Sequence, residues 1–178
     1  MTLDDCRLDF EQSSNRAMSM PIAGAVVWAL VAILSTQFEE RISILLLLFC
    51  SGLIFPIALG IARIRSEALI SNKNPMASLM GQCVLMVNLL WAVHIPLFLY
   101  APSFVPLSLG ISLGLHWVVY SWIIQHPLGR THAILRTSLV LFAWYIFKED
   151  RLLSISIVIV CTYLFTLYQM SARVVPST

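Results

Sequence analysis

Two stretches of this sequence, Ile42 to Ala62 and Leu152 to Met170, contain no Asp, Glu, Lys or Arg. A hydrocarbon core about 30 Å thick takes roughly 20 apolar residues of helix to cross, because backbone groups in oil must hydrogen-bond within their own segment. Uncharged runs of that length point to helices that span a bilayer. Composition agrees: 59% of the 178 residues are hydrophobic and 11% are charged, against about half and about a quarter in an ordinary soluble domain. Eleven Lys and Arg with nine Asp and Glu cannot coat a water-soluble globule of this size. Disorder, a coiled coil and a disulfide scaffold are excluded on the same grounds. The formal charge of +2 is too small for the basic footprint that nucleic acid demands.

The hydropathy pattern predicts an all-α, polytopic transmembrane bundle of six spans, with residues 1–178 forming one domain. The spans are Met20 to Thr36, Ile42 to Ala62, Ala77 to Tyr100, Phe104 to Ile124, Ala133 to Phe147 and Leu152 to Met170. The fifth is short and carries Arg136 one turn inside it, which requires the guanidinium to snorkel back to the interface. Placing both termini in the cytoplasm puts Arg7, Arg16, Arg63, Arg65, Lys73, Arg130, Arg136 and Arg173 inside, and leaves Arg41, Lys148 and Arg151 outside. That split follows the positive-inside rule. Asp4, Asp5, Asp9 and Glu11 precede the first span, so the start does not read as a cleavable signal. Thr2 with Asp5 resembles a capping box, and Leu3, Arg7 and Phe10 share one side of a short helix. This helix reads as a solvated tail on the membrane surface, or as a docking arm for a partner.

Pro56, four residues after Gly52, predicts a bend in the second span, and Pro96 a break in the third. Such interruptions either line a cavity or merely improve packing. Gly110 and Gly114 form a GxxxG in the fourth span, with Trp117 and Ser121 on the same side. Small residues at that spacing admit a close helix neighbour, within the bundle or from a second copy in a homodimer. Asn74 before Pro75 reads as a helix N-cap.

Polar groups inside the membrane cost free energy and are the best functional pointers available. His116 and Tyr120, one turn apart, with Asn88 on the third span, form a candidate polar cavity. His94 lies nearer the outer end, within reach of the interface. Arg63, Arg65, Arg130 and Arg136, joined by His132 and Lys73, are candidates for an anionic lipid headgroup, or serve only to fix topology. No carboxylate falls well inside any span, and neither HExxH nor GxSxG occurs. The four cysteines lack ligand spacing. No catalytic residue, metal or cofactor is therefore assigned.

Several segments together resemble a known family. These are the run Gly52-Leu53-Ile54-Phe55-Pro56, the helix start Asn74-Pro75, and the stretch from Pro106 and Gly110 through His116, Tyr120 and Trp122. The opening Thr2-Leu3-Asp4-Asp5 with Arg7 and Phe10 is also similar. The resemblance is to small bacterial integral membrane proteins known only as a domain of unknown function, and it runs from the N-terminus to about Trp122. It implies a multi-span helical protein of the bacterial cytoplasmic membrane and supplies no activity. The expectation is a non-catalytic membrane component that binds or passes a small molecule or serves as an accessory subunit. The alternative is an intramembrane enzyme acting on a lipid-like substrate through His116 and Tyr120.

Overall fold

The computed structural model describes residues 2–69 and 74–174, and its regular elements are all helices. In chain order they are α1 (Leu3–Ser13), α2 (Ser19–Ser35), α3 (Glu40–Gly52), α4 (Ile54–Arg65), α5 (Pro75–Leu89), α6 (Trp91–Tyr100), α7 (Val105–Ile123), α8 (Leu128–Ile146) and α9 (Arg151–Ala172). Two 3₁₀ turns, Asn15–Ala17 and Pro102–Phe104, lead into α2 and α7. Five stretches are long and apolar enough to cross a membrane: Leu3–Ser35, Glu40–Arg65, Pro75–Tyr100, Pro102–Ile123 and Arg151–Ala172. The remaining expected span, α8, has 19 residues, long enough at 1.5 Å per residue to cross about 28 Å, but it is less apolar than these five and is not among them.

The expected breaks are present, and they set the shape. α3 gives way to α4 at Leu53, just ahead of Pro56, where the missing proline N–H leaves the Gly52 carbonyl without its helical donor. The third stretch breaks at Leu90, between α5 and α6 and more than one turn before Pro96. α8, expected from Ala133, begins at Leu128, five residues earlier than the hydropathy pattern suggests. Its first two turns are not a loop because Gly129 and Ala133 let them lie against α7.

The core is a four-helix contact of α2, α7, α8 and α9, with α3 and α4 packed on α2, and α5 on α7. Ala23, Trp28, Ile44, Leu47, Val105, Val140, Ile155 and Ile159 are essentially closed to solvent there. The GxxxG pair faces inward. A Cβ on Gly110 would come 3.2 Å from Val140 Cγ1 and 3.3 Å from Ile159 Cδ1, and one on Gly114 would come 2.9 Å from Arg136 Cδ. The close approach that these glycines permit is thus taken by α8 and α9 of the same chain. A homodimer through Gly110 and Gly114 would have to displace both helices.

α1 is packed on the bundle rather than free in solvent. Its capping box forms, with Asp5 N–H donating to Thr2 Oγ1 at 3.2 Å and Thr2 N–H to Asp5 Oδ2 at 2.7 Å. The helix then folds across one end of the bundle and buries Cys6, Phe10 and Glu11. Asn74 ties it down. Its amide donates to the Cys6 carbonyl at 2.8 Å and to Asp9 at 2.6 Å, while its Oδ1 caps α5 by accepting from Met76 N–H at 2.7 Å. Arg173 ion-pairs with Glu11, and Arg16 donates to the Ser171 carbonyl at 2.7 Å, so the end of α9 holds the same cap. The α1–α2 connection is strained: Asn15, Arg16 and Ala17 all have positive φ (43°, 69° and 51°), a region that L residues rarely adopt. Lys73, expected beside the other basic residues, lies outside the described residues.

Candidate binding site

α5 packs on α7 and α1 and makes little contact with α4. The gap between α4 and α5 is a cavity of about 530 Å³, floored by α7 and roofed by α1. Phe55 of α4, Met80, Gly81, Gln82 and Val84 of α5, and His116, Trp117 and Tyr120 of α7 form its walls, with Phe10 and Ala17 at the capped end. Deeper along the helices a second cavity of about 260 Å³ shares His116, Trp117, Met20, Pro21, Phe55 and Val84, and adds Gly52, Asn88, Leu113 and Tyr163. The proline break of the α3–α4 pair and the open face of α5 make this space, since two straight packed helices would close it.

The candidate trio is therefore divided. His116 and Tyr120 line the larger cavity, His116 and Asn88 the smaller, and His116 is the shared group. The Tyr120 hydroxyl donates to the Arg16 carbonyl at 3.2 Å, which ties the cavity wall to the strained turn. Among the described residues, the linings contain no Asp, Glu, Lys or Arg. Apolar walls with a few polar tips, at a volume within the usual range of about 300–1,000 Å³, are the build of a small-molecule pocket.

Of the four arginines proposed for a headgroup, Arg136 is turned away from any surface. Arg63 and Arg130 are exposed. Arg65 pairs at 2.5 Å with Glu67, whose other oxygen accepts from Ser19 N–H (2.9 Å) and Oγ (2.5 Å) at the start of α2. Arg136 does not snorkel. It is fully buried, and its Nε donates to the Gly110 carbonyl at 2.7 Å. Its guanidinium carbon lies 5.0 Å from the Tyr163 ring and 5.8 Å from the Trp28 ring. The reason is steric: Gly114 has no side chain, so the Arg136 stem can lie flat across α7 instead of reaching along α8 to its end.

His132, one turn before Arg136, is also turned inward. It stacks on Trp117 at 4.3 Å between ring centroids, and its Nδ1 shares a 2.7 Å hydrogen bond with Thr166 Oγ1. His94 is buried rather than interfacial, with Nε2 at 3.3 Å from Ser112 Oγ. Sequence reasoning missed this polar interior. The available signal was the i, i+4 spacing of His132 and Arg136 on the helix face that also carries Ala133, Val140 and Ala143.

These features define a class: an all-helical protein with five stretches fit to cross a membrane, a cavity open between two helices, and a cation locked inside the bundle. The chain belongs to a family described as a family of unknown function (DUF7010), whose model matches residues 3–173. The match extends the resemblance beyond Trp122 through α8 and α9. No curated protein and no solved structure matches the chain.

Proposed function

We propose that this chain is a multi-pass protein of the bacterial cell membrane, with both ends on the cytoplasmic side, that binds an amphiphile in the cavity between α4 and α5. The membrane placement is supported by the outward surface. Ile33, Phe49, Leu89, Ile134, Phe142 and Leu164, spread over five of the six helical stretches, are each more than half exposed. Such a surface fits contact with oil. Orientation rests on the end of the bundle that gathers Arg7, Arg16, Arg63, Arg65, Arg130 and Arg173. Reporter fusions at the two termini test it: both report from the cytoplasm if the reading holds.

The observation that carries the binding role is the opening between α4 and α5. A ligand dissolved in the bilayer can enter there sideways, lay its chain along Phe55, Met80 and Val84, and place a polar head by His116 and Gln82. Binding is favoured over catalysis because, among the described residues, the lining has no ionic side chain to work with His116. In nanodiscs, dodecan-1-ol is expected to bind the wild-type chain. Gly81 lines the cavity and a Cβ there meets nothing within 4 Å, so Gly81→Phe starts from open space and brings its ring to the cavity. It should abolish binding while leaving the fold intact. Equal binding by both proteins would refute the assignment.

A further inference from the structure

We infer that the bundle interior between α2, α7, α8 and α9 seats a monovalent anion on Arg136, and that the ligand of the cavity is a long-chain carboxylic acid. This deepens the amphiphile reading and rests on it. A guanidinium cannot shed its proton, so Arg136 brings a full positive charge to a place with no solvent contact. An unpaired charge there is costly. Yet among the described residues only Nε has a partner, and both terminal nitrogens have none.

No acidic side chain can serve as counter-ion. The nine Asp and Glu all lie near the helix ends, and the two buried ones, Glu11 and Glu67, are held by Arg173 and Arg65. The shortage extends beyond charge. The indole nitrogens of Trp28 and Trp117 are buried donors without an acceptor, and the first belongs to the ring nearest the guanidinium on α2. An unmatched cation with no carboxylate in reach and an indole donor beside it is complementary to an anion. The two free nitrogens of one guanidinium form the planar fork that a carboxylate accepts in bidentate fashion.

Tyr163 links this seat to the cavity. One side of its ring lies 5.0 Å from the guanidinium carbon, and the residue also lines the smaller cavity beside His116 and Asn88. Tyr163 thus borders both, and the inference requires its ring to shift so that a carboxylate reaches Arg136 while its alkyl chain stays between α4 and α5.

The test compares dodecanoate with dodecan-1-ol, which share a chain and differ in the head, on the full-length protein in nanodiscs. Dodecanoate is expected to bind wild type at least tenfold more tightly. Arg136→Met removes the charge while keeping apolar bulk and should erase that preference, and Arg136→Lys should keep part of it. A preference that survives Arg136→Met overturns the inference. Sodium acetate and chloride separate the sources. If millimolar acetate or chloride displaces dodecanoate, the seat also accepts free anions; if neither does, the carboxylate arrives only on an amphiphile. Both results support the anion seat. Equal affinity of wild type for acid and alcohol, with no response to acetate or chloride, overturns the seat but leaves the amphiphile cavity standing. Failure of acid and alcohol alike overturns both, and none of these wild-type readings depends on a variant folding.

Discussion

The four glycines at positions 81, 110, 114 and 129 meet graded surroundings, and their replacement by alanine should produce a graded loss. A Cβ on Gly129 would overlap the carbonyl oxygen of Trp117 and lie 2.9 Å from both N and Cβ of Ser121. Those atoms belong largely to the α7 backbone and cannot rotate away, so α8 must back off along the seam that places His132 and Arg136. Overpacking costs typically about 1–3 kcal/mol where side chains can adjust, and Gly129→Ala should reach or exceed the top of that range. At Gly114 the obstacle is the Arg136 stem, 2.9 Å away at Cδ and 3.3 Å at Nε. It is flexible but pinned by its bond to Gly110, so Gly114→Ala should cost about 1–2 kcal/mol. At Gly110 the neighbours are methyl groups at 3.2 and 3.3 Å, and their small displacement is offset by the better helix propensity of alanine, about 0.8–1.0 kcal/mol. At Gly81 only the propensity gain remains. Thermal unfolding of the purified variants, followed by the monodisperse fraction, should therefore rank Gly81→Ala at or above wild type, then Gly110→Ala, Gly114→Ala and Gly129→Ala. With about 2–4 °C per kcal/mol for a chain of this size, Gly129→Ala should melt at least about 6–12 °C below wild type. If Gly129→Ala melts with wild type, or Gly81→Ala falls as far as Gly129→Ala, the described α7–α8 seam and cavity are wrong.

Other interactions make separate predictions. Thr166→Val should leave the buried His132 Nδ1 without its partner and cost about 1–3 kcal/mol, whereas Thr166→Ser should melt near wild type. Glu67→Ala removes the acceptor of Arg65 and of the Ser19 N–H and hydroxyl. Because the Arg65 side chain is 32% exposed, the cost should be about 2–3 kcal/mol rather than the larger figure for a fully buried pair. Hydrogen bonds from the Thr2 backbone and side chain hold the exposed Asp5 carboxyl below its ordinary value. A depressed folded value means that the capping box contributes fully above the ordinary carboxylate range and is lost as pH falls through the folded value. Amide exchange in the first turn of α1 should accelerate on acidification and become pH-insensitive, beyond the intrinsic exchange trend, in Asp5→Asn.

The sequence carries the number and order of long helices because charge-free length is a one-dimensional property. Ile42 to Ala62 and Leu152 to Met170 could hardly be anything else, and Asn74-Pro75 caps its helix by local chemistry alone. The misreadings share a different physical origin. Arg136, His132 and His94 were assigned to interfaces because polar groups in oil are costly. What keeps them inside is tertiary: a bare glycine on α7, the Gly110 carbonyl, Thr166 and Ser112 on neighbouring helices. The Gly110 and Gly114 spacing announces a close approach but not its partner, which proves to be α8 and α9. The cavity was only half legible. His116 and Tyr120 share a stripe that periodicity reveals, whereas the space before them exists because α5 stands away from α4, a distance that no local pattern encodes.

Occupancy of that space is the claim most directly open to measurement. Gly81→Cys places a thiol on the cavity wall without a clash, while the native Cys161, exposed on α9, serves as an internal control outside it. Site-resolved alkylation in nanodiscs, with and without saturating dodecan-1-ol, reads both thiols in one sample. The account predicts that the introduced thiol reacts at least tenfold more slowly with the alcohol present while Cys161 is unchanged. An introduced thiol whose rate ignores the alcohol, or two thiols slowed alike, would contradict it.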